Sequence, residues 1–155
     1  MLETLRPRWP LVALIVSGAL LAGAHAFETF GHLAPCPMCL SQREWHWGIV
    51  AIALFALVTR KEVRTAALFL SLAYLGSFAM AAWHLAVEQH WMAAQCEAGS
   101  GGNLVFDLNA KLEIPHCDTP AWIMFGISMA GYNALISLGM ALLSAVLALM
   151  PERTS

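Results

Sequence analysis

Four long apolar stretches with short polar connections limit what this 155-residue chain can fold into. Hydrophobic residues make up 59% of the sequence and charged residues only 12%, whereas an ordinary soluble domain has about 25% charged residues. The shortage of charge indicates that most of the surface faces lipid. The apolar stretches run over about residues 9–30, 40–59, 65–87 and 121–150, and a bilayer core of about 30 Å needs roughly 20 helical residues.

Helices account for these stretches better than barrel strands, because the stretches are rich in Leu and Ala and do not alternate with a period of two. The second is strongly apolar only from about Trp45 to Val58, so it is long enough for a span only if its helix begins near Cys39. The fourth is too long for one span, so we expect its first turn or two to lie at the interface around Trp122. The sequence therefore predicts an all-α membrane protein, a bundle of four transmembrane helices in a single domain over residues 1–155.

The distribution of Lys and Arg predicts the orientation of the bundle. Six of the eight basic residues lie at the termini or between the second and third stretches: Arg6, Arg8, Arg60, Lys61, Arg64 and Arg153. By the positive-inside rule, both termini are cytoplasmic, and the outer loops are about residues 31–39 and 88–120. The "AHA" at residues 24–26 also resembles a signal-peptide cleavage site, but we expect the first span to be retained because its apolar character continues to Phe30.

All four cysteines lie on the predicted outer side: Cys36, Cys39, Cys96 and Cys117. Thiols outside the cytoplasm usually form disulfides, and four cysteines allow three pairings. A bond between Cys36 and Cys39 closes a very small ring and stabilises the fold little. A C-x-x-C pair at a helix N-terminus is instead typical of thiol–disulfide exchange, because the unpaired N–H groups and the helix dipole stabilise a thiolate.

A metal site is not predicted. In a zinc site the C-x-x-C would need two further ligands, but 20 residues separate Cys96 from Cys117 and no second C-x-x-C occurs. Arg43 follows Cys39 by four residues and so lies on the same helical face, one turn deeper. Its side chain has three possible roles: snorkelling to headgroups, stabilising the Cys39 thiolate, or binding an anionic oxygen of a ligand.

The chain resembles the disulfide bond formation protein B (DsbB) family, in particular its short bacterial members. The resemblance lies in the C-x-x-C that opens the second helix with Arg43 after it, the separate cysteine pair in the second outer loop, and four spans with both ends inside. The segment "CDTPAWIMFGISMAGYNALISLGMALL" is also similar to the family's last helix. The similarity covers essentially the whole chain.

The resemblance implies an inner-membrane enzyme that re-oxidises a periplasmic DsbA-like thioredoxin-fold protein and passes the electrons to ubiquinone or menaquinone. It implies redox disulfides Cys36–Cys39 and Cys96–Cys117. The partner's thiolate would attack Cys96; the released Cys117 would attack Cys36 and free Cys39 to face the quinone. Arg43 would match the family's quinone-site arginine, and the active cysteines would lie on the periplasmic side.

Several points stay open at this stage. The family has a histidine after the third span, and either His84 or His90 fits; with Glu88 they could relay protons, bind a metal or simply be solvated at the interface. Residues 104–114 fit either a short interfacial helix or a loop with apolar anchors. The alternatives to the predicted enzyme are an accessory membrane protein with two inert disulfides and a DsbB-like oxidase for a dedicated partner other than DsbA. A net charge of −2 without a basic tract argues against nucleic acid as a partner.

Overall fold

The structure, a computed structural model, describes residues 5–59, 63–93 and 116–151. Four long helices dominate it: α1 (Trp9–Thr29), α2 (Pro37–Thr59), α3 (Val63–Glu88) and α4 (Met129–Leu149). A 3-10 turn over Arg6–Arg8 precedes α1, and two short strands, β1 (Ile123–Met124) and β2 (Ile127–Ser128), precede α4. Cys96, Lys111 and the segment 104–114 lie outside the described residues.

Within the described part of the chain, three helical segments are long and apolar enough to cross a membrane: Arg6–Thr29, Val63–Glu88 and Met129–Leu149. The prediction of a helical membrane protein is confirmed to that extent. Helix α2 has 23 residues, about 34 Å at 1.5 Å per residue, so its length suffices. Its first turns carry Gln42, Arg43 and Glu44, and its membrane crossing stays a prediction, as does the orientation of the bundle.

Small residues dominate the packed interior, as in membrane helix bundles where close backbone approach replaces hydrophobic collapse. Helix α3 packs along most of α4, and α2 packs against both α1 and α3, whereas α1 touches α4 at few points. Large side chains such as Phe55, Val58 and Leu149 point outward and are 72%, 82% and 75% exposed. An apolar exterior of this kind fits a surface in contact with lipid.

The start of the fourth apolar stretch differs from the expectation. Residues 123–128 form an antiparallel hairpin in which Ile123 pairs with Ser128 and Met124 with Ile127, and the helix begins only at Met129. The two turn residues Phe125 and Gly126 have φ angles of +51° and +79°, which is the backbone of a type I′ turn and is incompatible with a helix. The bundle is therefore not purely helical, and a hairpin takes the place of the expected interfacial turn.

The hairpin closes one end of the bundle. Trp122, just before β1, stacks against Phe27 with ring centroids 5.1 Å apart and against Tyr132 at 6.2 Å. The Tyr132 hydroxyl donates to the carbonyl of Met124 at 3.0 Å. We call this the cysteine end, because the described cysteines lie here, where α1 and α3 finish and α2 and α4 begin.

Candidate redox site at the cysteine end

Cys36 lies immediately before α2 and acts as its N-terminal cap. Its carbonyl accepts from the Leu40 N–H at 3.1 Å, and its sulfur accepts from the Cys39 N–H at 3.2 Å. Pro37 follows at the first helical position, where a missing N–H removes no helical hydrogen bond. The sulfur thus does what a Ser or Asp oxygen usually does at a helix start, which fixes it beside Cys39.

Cys36 and Cys39 are free thiols in this structure and have unlike surroundings. Cys36 is buried and Cys39 is half-buried; both precede the predicted span of residues 40–59. The hydrogen bond between the two sulfurs, with burial, raises the pKa of the Cys36 thiol. The same hydrogen bond lowers the pKa of the Cys39 thiol, and it outweighs burial, which raises that pKa; the Glu88 charge raises it further, and the Arg43 charge lowers it by less than Glu88 raises it. Cys39 is therefore the sulfur that forms a thiolate more readily.

Cys117 reaches the same place from the second outer loop. It is 1% exposed and belongs to one buried cluster with Cys36, Met38 and Val87. Cys117 is disulfide-bonded. Because Cys96 lies outside the described residues, the pairing Cys96–Cys117 stays a prediction, but the structure places Cys117 where its sulfur can approach Cys36.

His84 and Glu88, in the last turns of α3, lie beside the cysteine pair. His84 Nε2 lies 3.7 Å from Cys36 Sγ and 3.8 Å from Glu88 Oε1. Glu88 also accepts a hydrogen bond from the Ser128 hydroxyl. His90, by contrast, is exposed and does not line the cavity described below. Of the two histidines that the sequence left open, the structure places His84 beside sulfur.

Arg43 lies one turn beyond Cys39 and joins α2 to the end of α1. Its Nη1 donates to Glu28 Oε2 at 2.5 Å, and its Nη2 donates to the carbonyl of Ala24 at 3.2 Å. The Arg43 side chain is 14% exposed and that of Glu28 is 40% exposed. A basic group is thus fixed, largely out of water, in the wall of the space beside Cys39.

That space is a cavity of about 810 Å³, between the second half of α1, the first turns of α2 and the first turns of α4. Its polar lining includes both thiols, Arg43, Gln42 and His84, and its apolar lining comes mainly from α1 and α4. Ligand pockets in proteins usually measure about 300–1,000 Å³ and are mostly apolar with a few convergent polar groups. The cavity therefore has the size and lining of a site for a mostly apolar small molecule.

A chain of buried hydrogen bonds leads from His84 into the bundle. Gln42 Nε2 donates to His84 Nδ1 at 2.7 Å, and Gln42 Oε1 accepts from Asn133 Nδ2 at 2.7 Å. Asn133 Oδ1 in turn accepts from His46 Nε2 at 2.8 Å. The chain continues from His46 Nδ1 to the Ser17 hydroxyl at 3.2 Å. Side chains from all four helices thus form one polar connection that ends beside Cys36.

A sequence profile of the family described as "Disulfide bond formation protein DsbB" matches residues 6–147 of the chain. The chain belongs to the DsbB family. The resemblance recognised in the sequence is thereby confirmed, and membership indicates a role in disulfide bond formation through thiol oxidoreductase chemistry.

Individual DsbB-like relatives span the same region. Over 145 residues the chain is 27% identical to "Disulfide bond formation protein B" of Methylococcus capsulatus, covering 86% of this chain and 88% of the relative. A shorter match of 89 residues to the protein of the same name in Herminiimonas arsenicoxydans is 39% identical and covers 55% of this chain and 54% of the relative. "Uncharacterized protein RP370" of Rickettsia prowazekii is 25% identical over 150 residues, 92% of this chain and 87% of the relative. No solved structure matches the chain.

Sequence reasoning missed the role of Gln42, Asn133 and His46 in this DsbB-family site. A signal was present, because Cys39, Gln42 and His46 follow each other at i, i+3 and i+7 and therefore share one face of α2. Polar residues in line within a predicted span mark a face that points into the protein.

Proposed function

We propose that this protein is a quinone-dependent thiol oxidase that re-oxidises a periplasmic DsbA-like thioredoxin-fold protein and passes the electrons to ubiquinone or menaquinone in the membrane. The observation that carries the proposal is the C-x-x-C pair in the wall of a lipid-sized cavity, with the Arg43 guanidinium one turn away. Family membership supports the thiol chemistry, and the cavity supports the lipid-soluble acceptor.

The residues present fit a quinone. Its ring and tail are apolar and match the lining from α1 and α4, while its carbonyl oxygens need donors where negative charge develops. Arg43 offers a charged donor there, and Cys39 is the more exposed of the two thiols. Charged donors fixed in a site of low polarity stabilise developing negative charge far more than they do in water. When bound, the quinone supplies the acceptor for two electrons and two protons.

The protein's own residues carry the thiol steps. The partner's thiolate attacks Cys96, and Cys117 leaves as a thiolate. Cys117 then attacks Cys36 of the oxidised Cys36–Cys39 pair, and Cys39 leaves as a thiolate at the cavity wall. Each exchange forms one S–S bond and breaks another. The partner's second thiolate then attacks the partner sulfur bonded to Cys96, which releases the oxidised partner and the Cys96 thiolate. Cys96 attacks Cys117 and releases Cys36, so the Cys96–Cys117 disulfide is restored and Cys36 and Cys39 are left as a dithiol. That dithiol would give two electrons and two protons to the quinone and return to a disulfide.

The positions of Cys117 and His84 support this order of steps. Cys117 packs in the buried cluster with Cys36, so the second exchange needs no large movement of the end of the outer loop. His84 Nε2, 3.7 Å from Cys36 Sγ, is placed to donate to this sulfur and to exchange a proton with it. Glu88 beside His84 can pass that proton toward the hairpin, where Ser128 holds its carboxylate.

Reconstitution tests the proposal. The purified protein, given a reduced DsbA-like protein and a short-tailed ubiquinone or menaquinone, should reduce the quinone continuously, as followed by its ultraviolet absorbance. Cys39→Ser should abolish turnover, and the exposed Glu44→Gln variant should keep the wild-type rate. If no quinone is reduced and Cys39→Ser leaves the protein unchanged, the disulfides are inert and the accessory-protein alternative holds.

A trapping experiment tests the partner. Cys117→Ala removes the sulfur that would displace the partner from Cys96, so a mixed disulfide should accumulate through Cys96. Mass spectrometry of the trapped complex from cells should identify a DsbA-like protein. A different thioredoxin-fold protein would favour an oxidase for a dedicated partner, and attachment at Cys39 instead of Cys96 would contradict the order of exchanges.

Labelling tests the orientation. The excess of Lys and Arg at the termini and in the loop between α2 and α3 supports cytoplasmic termini and periplasmic cysteines in the bacterial inner membrane. A single cysteine introduced at Gln89, at the exposed end of α3, should react in intact spheroplasts with a membrane-impermeant maleimide. A single cysteine at Arg153 should react only after lysis. The reverse pattern would overturn the proposed orientation.

A further inference from the structure

We propose that the reduced protein binds one zinc ion at Cys36, Cys39, His84 and Glu88, and that the metal holds the cysteine pair in its reduced form. One donor atom from each of Cys36, Cys39 and His84 lies within 4.8 Å of the other two. The fourth donor, Glu88 Oε1, lies 3.8 Å from His84 Nε2 but outside this cluster of three, so the Glu88 side chain must turn toward the sulfurs to complete the site. The donors come from the start of α2 and the last turn of α3, two elements already packed together.

The spacing of the two cysteine sulfurs and the histidine nitrogen is compatible with three corners of a zinc tetrahedron. With Zn–S bonds of about 2.3 Å and Zn–N bonds of about 2.0–2.1 Å, neighbouring donors in a tetrahedron are roughly 3.3–3.8 Å apart. The distance from Cys36 Sγ to His84 Nε2 is 3.7 Å, so these two donors need almost no movement. Two thiolates with an imidazole and a carboxylate form a donor set that suits zinc, whereas Cu(I) prefers sulfur ligands without a carboxylate.

The site also has the supporting hydrogen bonds that metal ligands usually have. Gln42 contacts the Nδ1 of His84, on the side of the ring away from the sulfurs. The Ser128 hydroxyl donates to Glu88. Partners of this kind fix the orientation of ligating imidazoles and carboxylates. Apolar side chains, Val87 and Met80, pack around the sulfurs, which limits competition from water.

Metal binding requires His84 to present a lone pair on Nε2, and the buried polar chain allows it. In the structure Gln42 donates to Nδ1, which places the ring proton on Nε2. If the amides of Gln42 and Asn133 both turn over, Nδ1–H donates to the Gln42 oxygen and the Gln42 amide donates to Asn133. Asn133 then donates to His46 Nε2, and His46 Nδ1–H donates to Ser17, so the bonds along this polar connection are retained with their directions reversed, while the hydrogen bond of His84 with the Cys117 backbone is replaced by the metal.

The binding reaction involves no electron transfer. Zinc forms two Zn–S bonds, one Zn–N bond and one Zn–O bond, and each thiol that is protonated releases its proton to solvent. The oxidised pair, whose sulfurs are joined to each other, cannot supply the two thiolates. Binding is therefore specific to the reduced protein. The consequence for turnover rests on the proposed function: a ligated pair cannot return to a disulfide, so zinc inhibits quinone reduction.

Cobalt spectroscopy tests the site without quinone or partner. The full-length protein, reduced with a phosphine and freed of metal, should bind one Co²⁺ per chain, with thiolate-to-cobalt charge-transfer absorption and the visible bands of tetrahedral cobalt. Zinc should displace the cobalt. Protein in which Cys36 and Cys39 form a disulfide should show neither the charge-transfer absorption nor the visible bands of tetrahedral cobalt. A reduced protein without charge-transfer absorption would overturn the proposal.

Variants test the ligand set. Cys39→Ser should remove most of the charge-transfer absorption, whereas the double variant Cys96→Ser/Cys117→Ser should keep it, which excludes the other cysteine pair. Glu88→Gln should weaken cobalt binding at least tenfold, while the matched Glu44→Gln on the exposed side of α2 should not. Unchanged affinity in both Glu88→Gln and His84→Gln, with wild-type circular dichroism, would refute the assignment of these ligands.

Replacing Gln42, which hydrogen-bonds His84 but is not a metal ligand, gives an independent check of the site. Gln42→Leu leaves all four donors in place and should weaken cobalt binding about 10–100-fold. In the quinone assay, micromolar zinc should stop turnover of the wild-type protein and a chelator should restore it. Cobalt binding without any quinone reduction would support the metal site and contradict only the proposed function. A failure of the metal-site proposal can therefore be distinguished from a failure of the proposed function.

Discussion

Replacing Asn133 by Ala tests whether the buried polar chain holds α2 against α4. Asn133 donates to Gln42 and accepts from His46, both on α2, and it also accepts from Ser137 within its own helix. Hydrogen bonds between membrane helices contribute about 0.6 kcal/mol on average and up to about 1.7 kcal/mol. The two bonds to α2 therefore predict a loss of about 1–3.5 kcal/mol in the free energy of unfolding.

The upper part of that range applies only if no water molecule replaces the amide as hydrogen-bond partner of Gln42 and His46. Gln42 and His46 both line the cavity, so a water molecule that enters the space left by the amide can pair with them and reduce the loss. We therefore expect a value near the middle of the range, about 2 kcal/mol. Asn133→Asp should cost more than Asn133→Ala, because it buries a carboxylate and removes the donor to Gln42.

The assay is equilibrium unfolding of the detergent-solubilised protein in mixed micelles, followed by the circular dichroism of the helices. The matched control is Leu135→Ala, two residues along α4, whose side chain is 60% exposed on the outer surface. A residue that faces detergent in both folded and unfolded states should change the free energy of unfolding by less than about 0.5 kcal/mol. Equal destabilisation by the two alanines would refute the reasoning.

Three further changes test other parts of the site. Arg43→Gln should raise the KM for quinone about 10–150-fold, the equivalent of a charged hydrogen bond of about 1.5–3 kcal/mol; an unchanged KM would place Arg43 outside the quinone site. The same variant should change the free energy of unfolding by less than about 1 kcal/mol, because the Glu28 carboxylate that loses its partner is 40% exposed and can be solvated by water. Gly76→Ala should lower the free energy of unfolding by about 1–3 kcal/mol, because its Cβ would lie 2.5 Å from the Trp45 ring; the loss should vanish in a Trp45→Leu background. Trp122→Ala removes the ring that stacks on Phe27 and should raise the KM for quinone about 2–10-fold, as expected for one aromatic pair; an unaltered KM would show that the hairpin does not help to close the cavity.

The long apolar stretches and the position of the C-x-x-C could be predicted from the sequence because both are local properties. Apolar runs of about 20 residues leave few alternatives to helices in lipid, and a proline after Cys36 marks the start of α2. The hairpin before α4 could not be predicted, because Ile123 to Ser128 read as a continuation of an apolar run. Its only local signal is Gly126, whose positive φ is visible only in the structure.

The cysteines of the site could be predicted from the sequence, but the polar side chains that contact them could not. Cys39 and Arg43 are four residues apart on one helix, so their proximity could be predicted from the sequence. The contacts of His84 with Cys36 and of Asn133 with Gln42 join residues 48 and 91 positions apart, and no periodicity within one helix reports them. The sequence offered His84 and Glu88 only as an i, i+4 pair and did not show that they lie beside the cysteines, so a metal site was not predicted.

The polar face of α2 explains how one sequence feature orients the whole site. In a helix that crosses a membrane, as α2 is predicted to do, Gln42 and His46 are costly unless they point inward and find partners; in the structure both do. Turning α2 by one residue, about 100°, would carry both side chains away from Asn133 and toward lipid. The same rotation would remove Arg43 from α1 and Cys39 from the cavity. These hydrogen bonds therefore fix the direction in which the cysteine pair faces, and variants that break them should disturb quinone access, even at His46, which lies two turns from Cys39.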